Sequence, residues 1–208
     1  MPAIHSSDVA DGRPALGHVN LMIDTFLANA TPDEQVTPPV LTILRTTLAT
    51  CPASTTSALA AAARHHFDHW KPAPPPEGLF TVQDTGLSIA APGLQKVLAR
   101  ARALYGVGSA FASLAVLEGV VRATVGLRWK GNGPMAYALA DIDSDITQAI
   151  QSCKEEWGSG RVKDMGAAKR ALASIGETIQ SSKDDCERWD EESFPFERAE
   201  VSVQYWKI

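Results

Sequence analysis

Two long stretches in the C-terminal half of the chain place apolar or small residues three and four positions apart. In residues 135–157 these positions fall on one face of a helix with 3.6 residues per turn, and residues 162–189 repeat the pattern. Gly158-Ser159-Gly160 separates the two stretches, and glycine allows the sharp turn that such a connection needs. We predict an antiparallel helical hairpin around which the rest of the chain is organised.

Residues 109–129, just before this hairpin, are apolar on almost every side. A helix of this kind needs cover all round and is typical of the middle of a bundle. We expect the hairpin to cover it on two sides, giving a three-helix core, with a helix over residues 92–105 packed outside. Glu118 and Arg122 are spaced to form an ion pair across one turn. The predicted fold class is therefore all-α, a bundle of about seven helices.

The first part of the chain predicts three short helices separated by prolines. They cover residues 15–29, a stretch opened by Thr37-Pro38, and a stretch opened by Ser54. Consecutive prolines after residue 70 cannot continue a helix. We therefore divide the chain as follows: a flexible N-terminus at 1–14, a three-helix segment at 15–70, a proline-rich linker at 71–78, the helical-bundle core at 79–189 and an aromatic and acidic tail at 190–208.

Two segments alternate apolar and polar residues, which is the period of a strand. Residues 80–82 suit either a short strand or an irregular loop, and residues 199–208 predict a strand. A single strand is not stable alone. The tail strand is expected to pair with residues 80–82, with another copy of the chain, or with the sheet edge of a partner, so the bundle has room for a minor two-stranded element.

Composition narrows the class of protein. Of the 208 residues, 45% are hydrophobic and 21% are charged, which is typical of a water-soluble globular protein. The net charge of -5 argues against general nucleic-acid binding, because contacts to phosphates need a basic surface. A helix-turn-helix in the N-terminal segment is disfavoured for the same reason.

The expected cellular location follows from the signals for secretion, membrane insertion and disulfide bonding that the sequence lacks. The first residues have no continuous apolar run of the signal-peptide kind, and polar residues interrupt the apolar run at 110–127, so we expect no membrane span. Three scattered cysteines suit neither a disulfide framework nor a zinc site. In the predicted hairpin, Cys153 and Cys186 would lie roughly 30 Å apart, too far to pair. We expect an intracellular, cytoplasmic protein, with a nuclear location left open.

A histidine cluster is the first candidate for chemistry. His65 and His69 are four residues apart, the spacing at which a helix presents two imidazoles to one metal ion. No third ligand is evident in the sequence. We favour a solvated helix face and expect neither a metal nor another cofactor.

The acidic cluster Asp141-Ile142-Asp143-Ser144-Asp145 is the second candidate. A calcium loop is excluded because the required glycine and glutamate are missing. Asp141 and Asp145 share one helix face and would suit acid–base or metal chemistry if another helix covered them. With His66 and Tyr137, they are the candidate polar groups of a pocket. The alternative, which we favour, is a face of acids exposed to water.

The tail concentrates aromatic residues, with five of the fourteen in the chain falling within the last twenty positions. Such residues anchor protein interfaces. The alternative is that they cap the bundle of their own chain, and the sequence does not decide between the two. The candidate partner-binding residues are Trp189, Phe194, Phe196, Tyr205 and Trp206.

The function that this pattern favours is a non-enzymatic adaptor or scaffolding bundle that binds another protein chain or associates with itself as a homodimer. The alternative is a small-molecule-binding or enzymatic bundle with a pocket between the helices at 109–129 and 135–157. The sequence leaves enzymatic activity undecided and leans against it, because no nucleophile or nucleotide-binding motif is present.

Overall fold

A computed structural model describes residues 46–68, 78–189 and 194–206 of the chain. The helices predicted at 15–29 and, for the most part, after Thr37-Pro38 lie outside the described residues, as does most of the proline-rich linker. Residues 46–50 are helical. The elements that follow are α1 (Ala53–Asp68), β1 (Phe80–Val82), β2 (Ser88–Ala90), α2 (Gly93–Gly106), α3 (Ala110–Arg122), α4 (Pro134–Gly158), α5 (Met165–Arg188) and α6 (Glu197–Gln204). The all-α prediction is confirmed.

Helix α3 lies in the middle of the bundle. It packs against α2, α4 and α5, and its large aliphatic side chains are buried. Its start meets the end of α4, where the Ala110 N–H donates to Glu156. The chain just after α3 meets the end of α5, where Trp129 contacts Trp189. Helices α4 and α5 therefore run antiparallel along α3, and the predicted three-helix core is confirmed.

Helix α3 ends earlier than the sequence pattern predicts. Its last residue is Arg122, which forms the expected ion pair with Glu118. The Thr124 hydroxyl donates to the Val121 carbonyl, and Gly126 has a positive φ of 85°, a conformation that glycine adopts without strain. These two features turn the chain, so residues 127–130 are not helical.

The short sheet is an antiparallel hairpin of β1 and β2. Phe80 pairs with Ala90 and Val82 with Ser88, and the turn between them contains Gly86 with a φ of 78°. The hairpin is fixed to the bundle where the Ser88 N–H donates to the Arg128 carbonyl over 2.6 Å. The segment at 80–82 is thus a strand, and its partner is β2.

The strand predicted at 199–208 is wrong, because this part of the chain forms helix α6. Its N-cap Phe196 and its residues Ala199 and Val203 face inward, three and four positions apart. Asp143 of α4 accepts from the Ala199 N–H (2.9 Å) and from Arg198 Nε (2.7 Å). Burial of the inward face and hydrogen bonding of the N–H groups at the start of α6 favour the helix more than the strand-like alternation of the sequence favours a strand.

None of the helices among the described residues is both long enough and apolar enough to cross a membrane.

The packing of α6 leads to a first prediction. Phe196 is fully buried, whereas Tyr205 at the other end of α6 is 80% exposed. Phe196→Ala should lower the free energy of unfolding by about 3–5 kcal/mol, because it leaves a cavity in the core. Tyr205→Ala should change it by less than about 0.5 kcal/mol. Urea denaturation followed by circular dichroism measures both, and equal effects would contradict the assignment of α6 to the core.

Candidate binding cleft

Asp145, one of the two acids singled out from the sequence, is buried and paired. It is 5% exposed, and Arg102 of α2 approaches its carboxylate through Nε and Nη2, each at 2.8 Å. The Tyr105 hydroxyl donates to the same carboxylate over 3.1 Å. The expectation that both acids face water is therefore wrong for Asp145, because α2 covers this side of α4.

The protonation chemistry of this cluster follows from its burial. Burial raises the pKa of the Asp145 carboxyl above its ordinary value, and the Arg102 guanidinium opposes that rise. The pKa of Tyr105 is raised by burial and by the adjacent carboxylate. The pKa of Arg102 is raised mainly by its hydrogen bond to Asp145. Arg102 and Tyr105 thus both bond to Asp145 and join α2 to α4.

Two further buried acids are used in the same way. Asp143 holds the start of α6, as described above. Asp185 of α5 accepts from the Gly126 N–H (2.8 Å) and from Arg128 Nη1 (3.1 Å). Burial acts to raise the pKa of Asp185, but these hydrogen bonds outweigh it and hold the pKa below its ordinary value. The buried acids of α4 and α5 thus join elements of the fold.

The other polar candidates lie on the surface. Asp141 is exposed, Tyr137 is 72% exposed, and His65 and His66 are exposed on α1. His69 lies outside the described residues. Within the described parts of the chain, no three histidine, cysteine or acidic side chains come together as a metal site.

The five tail aromatics divide between core and surface. Phe196 belongs to the core, and Trp189 packs edge-on against Trp129, with the Arg128 guanidinium 3.3 Å from the centre of its ring. Phe194 is half-buried against Phe196. Tyr205 and Trp206 retain surface, and they stand together at the end of α6.

An open cleft lies where the start of α3, the end of α4 and the start of α5 meet. Its volume is about 310 Å³. Its polar lining consists of Glu156, Lys163 and Asp164. Its apolar lining consists of Phe111, Ala112, Val162, Ala167, Ala168 and Ala171. Four of the nine lining residues are therefore alanines, and we call this group the alanine floor.

Aromatic surface extends from the cleft towards the tail. The ring of Phe111 lies 6.0 Å from that of Trp206 and 6.4 Å from that of Trp157, measured between centroids. Lys154 Nζ lies 6.0 Å from the Trp206 ring, a weak cation–π contact. The end of α6 is therefore continuous with the cleft.

Both acids of the cleft are bonded to helix starts. Glu156 accepts from the Ala110 N–H at 2.7 Å, and Asp164 caps α5 by accepting from the Ala167 N–H at 2.8 Å. Burial raises the pKa of Glu156, while its bond to Ala110 and the nearby Arg161 oppose the rise. These carboxylates accept from N–H groups at the starts of α3 and α5 that have no partner within their helix, and the helix dipoles favour negative charge there.

Gly108 keeps Arg161 close to the start of α3. Its φ is 80°, and a Cβ there would lie 2.6 Å from the Arg161 Nη1. The Arg64 Nη1 donates to the adjacent Val107 carbonyl over 2.7 Å and so anchors α1 at the same place. The charges of both guanidinium groups oppose the rise in the pKa of the half-buried Glu156.

The chain matches no known family model, and comparisons with curated proteins and with solved structures also give no match. Its function therefore has to be inferred from its own residues.

The sequence pattern does not predict the cleft. None of the four polar candidates Asp141, Asp145, His66 and Tyr137 lines it, although Phe111 and Glu156 do come from the two helices between which a pocket was predicted. The available signal was the group of alanines at the start of α5, directly after a turn. Small residues on an exposed turn of a helix leave space that larger residues would fill.

A second prediction tests the tie between α2 and α4. Arg102→Met keeps much of the apolar stem but leaves the Asp145 carboxylate buried without its cation. Because such an orphaned charge is strongly unfavourable, the free energy of unfolding should fall by about 3 kcal/mol. Lys96→Met, on an exposed position of α2, is the matched control. If urea denaturation gives the two variants the same stability, the ion pair has no structural role.

A third prediction concerns pH. Because burial raises the folded-state pKa of Asp145 above the ordinary value of 3.8, the folded protein holds this proton to higher pH than the unfolded chain does. The stability contributed by this group is full below pH 3.8 and is lost as pH rises through the folded-state pKa. The difference in unfolding free energy between wild type and Asp145→Asn should therefore fall with rising pH. A difference that grows with pH in urea titrations would contradict it.

Proposed function

We propose that this protein is a non-enzymatic binding module, an adaptor that recognises another protein chain through the cleft and the adjoining end of α6. The observation that carries the proposal is the open, mainly apolar cleft whose Phe111 contacts the half-buried Trp206, which follows the exposed Tyr205 in the chain. Exposed aromatic side chains next to an apolar depression are typical of protein interfaces.

The hydrogen bonds of the acidic residues support a binding function over a catalytic one. A general acid or base has to reach a substrate, yet Asp145 is enclosed by Arg102 and Tyr105. The two acids that do line the cleft already accept from backbone N–H groups of α3 and α5. Their arrangement serves to position helices.

The cysteines favour a location inside the cell. Cys51, Cys153 and Cys186 are all present as thiols, and burial raises the pKa of Cys153. A high thiol pKa makes a cysteine unreactive. Cysteines that remain as thiols suit the cytoplasm, where thiols are kept reduced.

Binding of a small molecule is the second candidate. The cleft volume of about 310 Å³ is at the lower end of the range for ligand pockets. Its openness to solvent favours a partner that covers it with its own surface, since small ligands are mostly enclosed.

A fourth prediction tests the proposed function. Ala167 lines the cleft, whereas Ala173 is exposed on the opposite face of α5. Ala167→Trp should cover the cleft and abolish capture of the partner protein from an extract of the cells that make this chain. Ala173→Trp adds the same side chain elsewhere and should leave capture unchanged.

Light scattering on the purified protein is the accompanying measurement, because it decides whether the partner is a second copy. A partner that binds wild type, Ala167→Trp and Ala173→Trp equally would place the interface outside the cleft. A strict monomer that captures no protein would overturn the proposed function.

A further inference from the structure

The shape of the cleft limits what form its occupant takes. Its walls are the helices α3, α4 and α5, and helices bond their own backbone groups internally. No strand borders it among the described residues, since β1 and β2 pair with each other and β2 packs on α4. An extended peptide would find no strand edge to pair with at this place, whereas a helix satisfies its own backbone.

The floor suits the close approach of a helix. Ala167, Ala168 and Ala171 lie on one face of α5, with Ala112 opposite on α3. Small side chains on a helix surface form a groove into which the side-chain ridge of another helix packs. The cleft therefore fits an apolar helix face.

The charged residues around the cleft indicate which residues the polar face of that helix carries. The segment 154–170 contributes six of the nine residues that line the cleft and contains five basic and three acidic residues, whereas residues 171–206 contain three basic and nine acidic residues. Two of the three acids near the cleft, Glu156 and Asp164, are bonded to helix starts. The basic residues of the segment are Lys154, Arg161, Lys163, Lys169 and Arg170, of which Lys163 lines the cleft.

A single bound anion explains this arrangement less well than an extended acidic surface does. An anion would normally take the N-terminus of α5, but the Asp164 carboxylate already occupies that position. The basic side chains are instead spread over the end of α4, the connecting turn and the start of α5.

From this shape and charge we infer that the cleft binds an acidic amphipathic helix of a partner protein, with apolar side chains on the alanine floor and carboxylates towards Lys154 and Lys163. The inference rests on the proposed function and names the chemistry of the partner. Charge complementarity of this kind steers association and selects partners.

The experiment uses two synthetic helical peptides of about 15 residues, roughly four turns. Both carry leucine on one face, and the polar face carries glutamate in one peptide and lysine in the other. Each is labelled with fluorescein and titrated with the full chain by anisotropy. The glutamate peptide should bind saturably and roughly tenfold more tightly than the lysine peptide, the effect of a few ion pairs at the rim. Its affinity should fall as salt is added.

Three variants locate the binding. Lys163→Glu should weaken binding of the glutamate peptide. Lys130→Glu makes the same change in charge at an exposed residue four positions before the start of α4 and should not weaken it. Ala167→Trp should abolish binding without any change in charge. Circular dichroism checks that each variant keeps its helices, and Ala173→Trp controls for the added indole.

The outcomes separate this inference from the proposed function. Equal binding of the two peptides, or no binding of the glutamate peptide, overturns the acidic helix even where Ala167→Trp abolishes capture of a cellular partner. A glutamate peptide that binds Ala167→Trp as tightly as wild type also overturns it, because the charge then acts away from the cleft.

Discussion

Burial of α3 is the constraint on which the arrangement of the molecule depends. Its side chains are apolar on nearly all sides, so the bundle is stable only if other helices remove them from water. Helices α2, α4 and α5 do so together. Since α4 and α5 both pack along α3, the end of one and the start of the other meet at the start of α3, and this meeting point is where the cleft forms.

Carboxylates fix how the outer elements attach to this core. Asp143 and Asp145 are two residues apart on α4, so they point to different sides of the helix. Asp145 meets Arg102 of α2, and Asp143 meets Arg198 and the start of α6. Each buried charge is unfavourable without its partner, which makes other placements of α2 and α6 costly. These two acids therefore join α2 and α6 to opposite sides of α4.

Helical periodicity was sufficient to predict the core, because α3, α4 and α5 bury continuous faces that a 3.6-residue period identifies. It failed where a contact distant in sequence decides the structure. Alternation of Val201, Val203 and Tyr205 predicted a strand, but Phe196 and Ala199 fit the core only in a helix. The burial of Asp145 depends on Arg102, forty-three residues away. The cleft is shared by three helix ends, so no local pattern in the sequence describes it.

The bonding of carboxylates to helix starts also bears on why one end of the bundle is open and basic. Helix starts have unpaired N–H groups, and here Glu156 and Asp164 satisfy those of α3 and α5 from within the chain. Their negative charge is thereby held against two helix dipoles, while Lys154 of α4, Lys163 of the connecting segment and Arg170 of α5 add positive charge to this end of the bundle. The apolar floor and the basic residues around it therefore follow from the way these helices begin. A partner complementary to this surface would carry carboxylates of its own.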